Sequence, residues 1–299
     1  MLCETEGSAI PLFLQHWWLE AVCHGKQWDV LLLPGPGGDT VAAMPYLTGV
    51  RCGLRYVLQP QLTQYNGPWY RPGTDVADAS RRLAAAVHDM RPALFQQSFA
   101  PSVTCFDGWE RYDRVERVTY RIDDLSDLQR VYDGFDKSRR QRQIRRAERL
   151  LTPDRSLTPE AFADFHAAYW RSRGQQDLLS HDFIVWVVGT ACRRGQGLLM
   201  GLRDGDGELQ VARFVAYDDH SAYSLLSALH PLHHANGASA LLFWQMMQEL
   251  SDKTRAFDFE GSMDPGIALS YRLYGARPVT YSRLTRCRIP FLTRLLHIR

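Results

Sequence analysis

The stretch FDFEGSMDPG, residues 257–266, sets two carboxylates between two phenylalanines and ends in a turn. Because the side chains of a strand alternate between the faces of its sheet, Phe257 and Phe259 are predicted to share one face. Asp258 and Glu260 then share the opposite face. Two interpretations of these acids are open: they take part in chemistry, or they form the solvated face of a strand.

The residues that follow predict a short helix directly after this strand. Asp264 followed by Pro265 is typical of a helix N-cap and a first helical residue. Gly275 stands where such a helix is expected to end. The two acids are therefore predicted to lie at the junction of a strand and a helix.

The bulk composition is that of a globular protein. The chain has 299 residues, 45% of them hydrophobic, enough for one large core or two moderate ones. Its net charge of +2 gives no overall attraction to nucleic acid or to membranes, so any basic surface must be local. The six cysteines occur without a CxxC pair, which argues against structural zinc and a disulfide scaffold. A reducing cytosol fits this usage best.

The sequence shows no pattern of a signal peptide or of a membrane span. The N-terminal stretch lacks a basic segment followed by a long apolar run, and no uncharged apolar run is long enough to cross a bilayer. The stretch at 289–299 is short, apolar and basic, which suits contact with a membrane surface or docking on its own domain. We expect a cytoplasmic protein that can be peripheral to the membrane.

Two segments, residues 28–46 and 197–217, share a pattern of strand, glycine-rich turn and strand. Each is followed by a further strand, a helix and another strand, with the helices predicted at 75–90 and 240–253. The repeated order predicts an internal duplication of one α/β layout.

Apolar residues at helical spacing occupy the middle of the chain, and Thr158 and Pro159 stand in the start positions of one of the helices predicted there. The predicted organisation is an N-terminal lobe over residues 1–124, a helical connecting segment over 125–190 and a C-terminal lobe over 191–299. Because no low-complexity linker separates the lobes, we expect them to pack together and to share a cleft, where ligands preferentially bind.

The loop HHANGAS, residues 233–239, joins a predicted strand to a predicted helix. Its small residues let backbone N–H groups approach a ligand, and a helix N-terminus favours a phosphate. This predicts a pyrophosphate site, with ordinary helix capping by Asn236 or Ser239 as the alternative. The adjacent His233 and His234 have no carboxylate spaced as in a zinc helix, so no metal site is predicted.

The most basic run of the chain is KSRRQRQIRRAER, residues 137–149, in which Glu148 is the only acid. Arginine forks suit phosphates, so a nucleotide, tRNA or a lipid-linked diphosphate are candidate partners. A solvated helix face is the alternative interpretation. From this region Arg145 and Arg146 are taken as substrate-binding candidates, together with Arg213 of the second hairpin.

An aromatic turn, QPQLTQYNGPWY, covers residues 59–70. Aromatic side chains with polar ends suit the recognition of a polar acceptor, although a turn rich in Asn, Gly and Pro also forms without a function. Its candidates for substrate binding are Tyr65, Asn66, Trp69 and Tyr70.

Together these segments resemble the FemAB-like branch of the GNAT acyltransferases, also described as BioF2-like acetyltransferase domains. The resemblance extends over nearly the full length, and its last two stretches are the most specific. The matching stretches are FLQHWWLEA, VAAMPY, QPQLTQYNG, KSRRQRQIRRAE, HHANGASALLFW and FDFEGSMDPGIALSYRLYGARPVTY.

The resemblance implies an α+β fold of two tandem GNAT-like lobes, with mixed and mostly antiparallel sheets flanked by helices. It implies an enzyme that transfers an acyl or aminoacyl group directly to an amine acceptor in the cleft between the lobes. The acceptor is expected to be a small-molecule or lipid-linked amine, such as a cell-envelope or peptidoglycan precursor, and no DNA is expected. Acyl-CoA, acyl-carrier protein and aminoacyl-tRNA are the candidate co-substrates, and no permanently bound cofactor is expected.

Direct transfer requires a base for the amine, alignment with the donor carbonyl and backbone donors for the oxyanion. By resemblance, Asp258 and Glu260 are the catalytic candidates. The loop at 233–239 corresponds to the GNAT pyrophosphate loop, with histidine and serine at the first and last positions of its usual pattern. The donor-binding candidates are His234, Asn236, Gly237, Ala238 and Ser239.

Two alternatives from other classes are open. A catalytically inactive pair of lobes that binds a phosphate-bearing or lipid-linked ligand would keep the basic run and the aromatic turn, yet tolerate loss of Asp258 and Glu260. Nucleic-acid binding without chemistry rests on the arginine run alone and predicts binding that weakens steeply with salt.

Overall fold

The computed structural model describes residues 6–231, 237–261 and 263–289. The chain divides into two compact units. The first comprises the residues up to Arg117 and those from Thr280 onward, and the second comprises Val118–Val279. The helices of the stretch 125–190 lie in the second unit.

The first unit is built on a sheet with the strand order β1-β2-β3-β5-β12, and β4 pairs with β2. Its helices are α1 (His16–Val22) and α2 (Val76–Asp89), preceded by short 3-10 turns at Gly7–Ala9 and Leu12–Leu14. The strands are β1 (Gln27–Pro34), β2 (Thr40–Arg51), β3 (Leu54–Leu58), β4 (Trp69–Tyr70), β5 (Leu94–Phe99) and β12 (Arg277–Cys287). Strands β3 and β5 are parallel, and the other described pairs of this unit are antiparallel.

The second unit is built on a sheet with the strand order β6-β11-β10-β9-β8-β7. Its strands are β6 (Asp113–Ile122), β7 (Thr152–Asp154), β8 (Gly197–Arg203), β9 (Leu209–Tyr217), β10 (Ser221–Leu229) and β11 (Ala256–Asp258). The chain passes from one unit to the other within β6, after Arg117, and within β12, after Val279. Its helices are α3 (Leu128–Asp133), α4 (Arg142–Ala147), α5 (Pro159–Ser172), α6 (His181–Arg193), α7 (Ala238–Leu250) and α8 (Pro265–Arg272), and a π-helical turn covers Lys137–Gln141. Strands β10 and β11 are parallel.

The two units repeat one topology. In the first, the antiparallel strands β1, β2 and β3 are followed by α2 and then by β5, which is parallel to β3. In the second, the antiparallel strands β8, β9 and β10 are followed by α7 and then by β11, which is parallel to β10. The predicted duplication of one α+β layout is therefore confirmed.

Local signals set the helix starts where the sequence predicts them. The Thr158 side chain accepts a hydrogen bond from the N–H of Ala161 at the start of α5. Asp264 accepts from the N–H groups of Gly266 and Ile267 at the start of α8. Each such cap stabilises its helix by about 1 kcal/mol. The α8 cap fixes the point at which the chain turns away from β11.

An aromatic core lies beside β11 in the second unit. Phe257 and Phe259 are buried, and their rings lie 5.9 and 4.9 Å from that of Phe243 on α7. Tyr274, just beyond α8, lies 5.2 Å from the same ring. This aromatic cluster joins the strand, α7 and the end of α8.

No helix among the described residues combines the length and the apolar character needed to cross a membrane.

Candidate active site

Asp258 ends β11 as a buried carboxylate, with 2% of its surface exposed. Its Oδ1 accepts hydrogen bonds from the hydroxyl of Thr119 on β6 and from the N–H of Glu260, the latter at 2.8 Å. A buried charge is tolerated only where such partners replace its water. The solvated-face interpretation is therefore wrong for Asp258, which organises the end of the strand.

Glu260 does not follow the predicted strand alternation. Because β11 ends at Asp258, Glu260 lies beyond the strand, and its φ of 60° turns the chain into the left-handed region. Its Oε1 is buried and has no hydrogen-bond partner among the described residues. Burial raises the pKa of Glu260 well above 4.5, and the nearby charge of Asp258 raises it further. Such a carboxyl group holds a proton more tightly than an exposed glutamate does, as expected of a group that exchanges protons with a substrate.

The pairing of the two parallel strands β10 and β11 ends next to these acids. Strand β10 continues to Leu229, whereas β11 ends at Asp258. Between Ser224 and Leu226 the register of β10 against β9 shifts, as at a β-bulge. Past the end of β11, the N–H of Phe259 donates to a carbonyl of β6 at 2.9 Å. The pairing of β10 with β11 thus ends at the position of the carboxylates.

Tyr271 joins this site from the last turn of α8. Its ring lies 5.0 Å from that of Phe259 and 6.4 Å from that of Phe243. Burial raises the pKa of Tyr271; the positive charge of Arg213 opposes this rise, and the charge of Glu260 adds to it. This tyrosine was not predicted from the sequence. Its signal was the short connection between the acids and the α8 cap, which keeps the helix close to the strand.

Arg213, predicted to bind substrate, lies on β9 and contacts the aromatic cluster. Its side chain is 5% exposed, and its guanidinium carbon stands 3.7 Å from the centre of the Phe243 ring. Nη1 donates to the Ser224 hydroxyl at 2.6 Å. Burial lowers the pKa of Arg213 to about 10, so the side chain stays cationic near neutral pH. The structure brings this cation to the same cluster as Tyr271.

The predicted donor loop is described in part. His234 and Asn236 lie outside the described residues. Gly237 precedes α7 with a φ of 83°, and a Cβ at this position would come within 2.6 Å of the Gln143 carbonyl. Only glycine combines this φ with so close an approach to another backbone.

The first turn of α7 carries the remaining donor-binding candidates. Ala238 is buried, and Ser239 is partly buried. Gly237 provides no side-chain cap for the helix. The N–H groups in the first turn of α7 point out of the helix end, an orientation that favours an anion.

The arginine run divides into exposed and packed members. Arg145 and Arg146 are exposed on α4. Arg140 instead donates through Nη2 to the Ser270 hydroxyl of α8 at 2.6 Å, and its guanidinium lies 4.5 Å from the Tyr274 ring. Part of the run therefore holds α8 in place, and Arg145 and Arg146 remain available for a ligand.

The aromatic-turn candidates all lie in the first unit. Asn66 is buried and donates through Nδ2 to the Pro45 carbonyl at 2.7 Å. Trp69 is buried and donates to the carbonyl of Ala9 at 3.0 Å. Each of these bonds holds the local fold.

Tyr65 and Tyr70 complete the aromatic turn. Tyr65 is buried, with its ring 5.1 Å from that of Tyr281. Tyr70 is partly buried, and burial raises its pKa to about 12. The assignment of this turn to acceptor binding stays a prediction.

The sequence of the second unit matches a known domain family. Residues 137–265 match the family model described as an acetyltransferase (GNAT) domain. The matched segment contains Asp258, Glu260, Arg213 and the predicted donor loop. The predicted enzyme class, a GNAT-type acyltransferase, is thereby confirmed.

Solved structures extend the GNAT likeness to the whole fold. FemX is 10% identical, with a TM-score of 0.67 over 97% of this chain and 96% of that chain. The C-terminal domain of a putative lysylphosphatidylglycerol synthetase from Agrobacterium fabrum is 11% identical, with a TM-score of 0.60 and 94% coverage of both chains. A tandem GNAT protein from the clavulanic acid biosynthesis pathway is 13% identical, with a TM-score of 0.55 over 88% of this chain and 83% of that chain.

These likenesses confirm the predicted fold, a tandem GNAT architecture of the FemAB-like type. No curated protein sequence gives a significant match to the chain.

Proposed function

We propose that the protein is an N-acyltransferase that moves an acyl or aminoacyl group from an activated donor directly to an amine acceptor. The observation that carries this proposal is Glu260, a carboxyl group just beyond the end of β11. Its Oε1 is buried without a partner among the described residues, and its pKa is raised by burial and by Asp258. A base of this kind accepts a proton from an ammonium group more effectively than an ordinary surface carboxylate.

The chemistry is one displacement at the donor carbonyl. Glu260 takes a proton from the acceptor ammonium, and the free amine attacks the carbonyl carbon. A C–N bond forms while the C–S bond of a thioester, or the C–O bond of an aminoacyl ester, breaks. Tyr271, whose raised pKa keeps it protonated near neutral pH, is the proposed proton donor to the leaving group. The attacking nitrogen gives up its second proton as the amide forms, and this proton restores the Tyr271 hydroxyl.

The donor is proposed to bind where the pairing of β10 with β11 ends and α7 begins. Backbone groups of β10 beyond its pairing with β11 are placed to hold an extended donor arm, and the N-terminus of α7 favours its phosphates. Acyl-CoA, acyl-carrier protein and aminoacyl-tRNA all supply an activated carbonyl with phosphates. The donor class is decided by the experiment below.

Thermal unfolding with coenzyme A, acetyl-CoA, a long-chain acyl-CoA and charged or uncharged tRNA tests the proposal. We expect one donor class to raise the unfolding midpoint, because a ligand that binds the native state stabilises it. That donor is then incubated with a panel of amines, and the acylated product is detected by mass spectrometry. A donor that binds while no amine is acylated would favour the alternative, an inactive GNAT-like module that binds a phosphate-bearing ligand.

Substitution of Asp258 by asparagine is expected to shift the acid limb of the pH–rate profile to lower pH. The charge of Asp258 raises the pKa of Glu260, and asparagine removes that charge while still accepting the N–H of Glu260. The midpoint of this limb is expected to stay above pH 4.5, because burial, the larger cause of the raised pKa of Glu260, is unchanged. Thr119→Val is the matched control, since it removes a hydrogen bond to Asp258 but keeps the charge. A limb that stays in place, or moves upward, contradicts this electrostatic coupling.

The proposed acceptor is a small-molecule or lipid-linked amine, reached from the cytoplasm or at a membrane surface. The exposed part of the basic run supports contact with anionic ligands, because these cations lie on the surface of the GNAT domain. Its exposed cations are Lys137, Arg139, Arg142, Arg145, Arg146 and Arg149.

A further inference from the structure

Arg213 is a buried cation without a carboxylate partner among the described residues. Its neighbours are the Ser224 hydroxyl, 2.6 Å from Nη1, and the face of the Phe243 ring, 3.7 Å from the guanidinium carbon. Its Nε is buried and has no acceptor among the described residues. Burying a guanidinium is costly unless an anion and hydrogen bonds replace its water. One hydroxyl and one ring leave that requirement unmet, so the side chain retains unused donors.

The position of this cation relates it to the carboxylates. The Phe243 ring beneath the guanidinium lies 4.9 Å from the ring of Phe259, the residue immediately before Glu260. Tyr271 packs against both rings, at 6.4 and 5.0 Å. Arg213 and Glu260 therefore border one aromatic cluster, and Tyr271 is close enough to both for each charge to act on its hydroxyl.

We propose that Arg213 binds an oxyanion of the acceptor, and that the acceptor is therefore an amine that also carries a carboxylate or a phosphate. This inference rests on the proposed N-acyltransferase function and names its substrate class. A zwitterionic acceptor is oriented by the two ends of the cluster, with its ammonium toward Asp258 and Glu260 and its anion toward Arg213. A guanidinium suits this role because its planar fork matches the two oxygens of a carboxylate or phosphate.

The anion is assigned to the acceptor rather than to the donor because Arg213, on β9, contacts α7 at Phe243, well past the N-terminus of that helix. Phe243 comes six residues after Gly237, so it lies about 9 Å along the helix from the N-terminus at which donor phosphates are proposed to bind. The same ring contacts Phe259, next to the proposed base. Arg213 is thus placed beside the acceptor amine.

Matched pairs of acidic and neutral amines test the inference through binding. The pairs are glycine and glycinamide, O-phosphoethanolamine and ethanolamine, and glucosamine 6-phosphate and glucosamine. Thermal unfolding midpoints are measured for the wild-type protein, Arg213→Met, Arg213→Lys and the control Arg51→Met, which removes an exposed cation of the first unit. We expect at least one acidic member to raise the wild-type midpoint more than its neutral partner does.

The variants separate binding from folding. Arg213→Met is expected to abolish the preference for the acidic member, Arg213→Lys to keep part of it, and Arg51→Met to keep it in full. Without ligand, Arg213→Met is expected to unfold at the wild-type midpoint or above it, because an unpaired buried charge has been removed. If Arg213 served only to stabilise the fold, Arg213→Met would have a lower unfolding midpoint than the wild-type protein. No variant would then prefer the acidic amine of a pair.

Three results would overturn the inference. They are the absence of an acid preference in the wild-type protein, a preference that survives in Arg213→Met, and a loss in Arg213→Met of donor binding alone. The last result would assign the anion to the donor. Failure of the proposed function looks different, since the wild-type protein would then prefer acidic amines but acylate none of them.

Discussion

Substitution of Glu260 by glutamine is expected to lower the rate of acyl transfer by about 10²- to 10⁴-fold, the usual contribution of a general base. Glutamine keeps the shape of the side chain but cannot accept the proton of an ammonium group. Donor binding is expected to be unchanged, since Glu260 lies just beyond β11 and not at the start of α7. Steady-state kinetics and the thermal shift with the donor check the two parts of this result.

The pH dependence gives Glu260 a second signature. Activity requires the ionised carboxylate, so kcat/KM is expected to rise with pH through the pKa of Glu260, which lies well above 4.5. Stability moves in the opposite direction. Because the folded pKa is raised, the stabilising effect of the protonated form is fully present below the unfolded pKa and is lost as pH rises through the folded pKa. Glu260→Gln is therefore expected to gain stability over the wild-type protein as the pH rises toward and through the folded pKa, and to gain least at pH 4, below the unfolded pKa.

Glu160→Gln is the control for this experiment, because Glu160 is exposed in the first turn of α5. It is expected to leave both the rate and its pH profile unchanged. A Glu260→Gln protein that retained wild-type activity would remove Glu260 from the role of base. Binding without chemistry would then be the better description of the site.

Much of the fold follows from local signals in the sequence. The turns PGPGGD and DGDG specify the β1-β2 and β8-β9 hairpins, and Thr158 and Asp264 cap the helices that they were predicted to start. Each of these signals acts within a few residues, so the sequence alone is sufficient to interpret it. Repetition of the same order in both halves then predicts the duplicated topology.

The site was predicted less completely because its contacts are not local. Strand alternation placed Asp258 and Glu260 on one face, but Asp258 accepts the N–H of Glu260, and the chain turns before the alternation continues. Arg140 belongs to an apparently solvated run, yet it binds Ser270, 130 residues away. Such pairings depend on packing between distant elements, which no local pattern encodes.

Substitution of Phe259 by alanine is expected to lower the free energy of unfolding by about 3–5 kcal/mol, the usual cost of removing a buried phenylalanine. The side chain is 1% exposed, and its ring lies between 4.9 and 5.3 Å from four other rings. Alanine would leave a cavity bordered by rigid aromatic rings, which have little freedom to close it. Urea unfolding of the variant and of the wild-type protein measures the loss.

Phe106→Ala is the matched control, because Phe106 is only partly buried and stacks on one ring, that of Phe99, at 6.1 Å. Its cost is expected to be clearly smaller. Phe259→Leu keeps much of the volume and is expected to remain folded, but to transfer the acyl group more slowly, because Phe259 positions Glu260 and supports Tyr271. The free energy of unfolding of Phe259→Ala could instead lie within about 1 kcal/mol of the wild-type value, far below the usual cost of such a truncation. In that case the aromatic cluster does not fix the positions of the acids. The positions of Glu260 and Tyr271 would then depend on the Asp258 hydrogen bonds and the α8 cap alone.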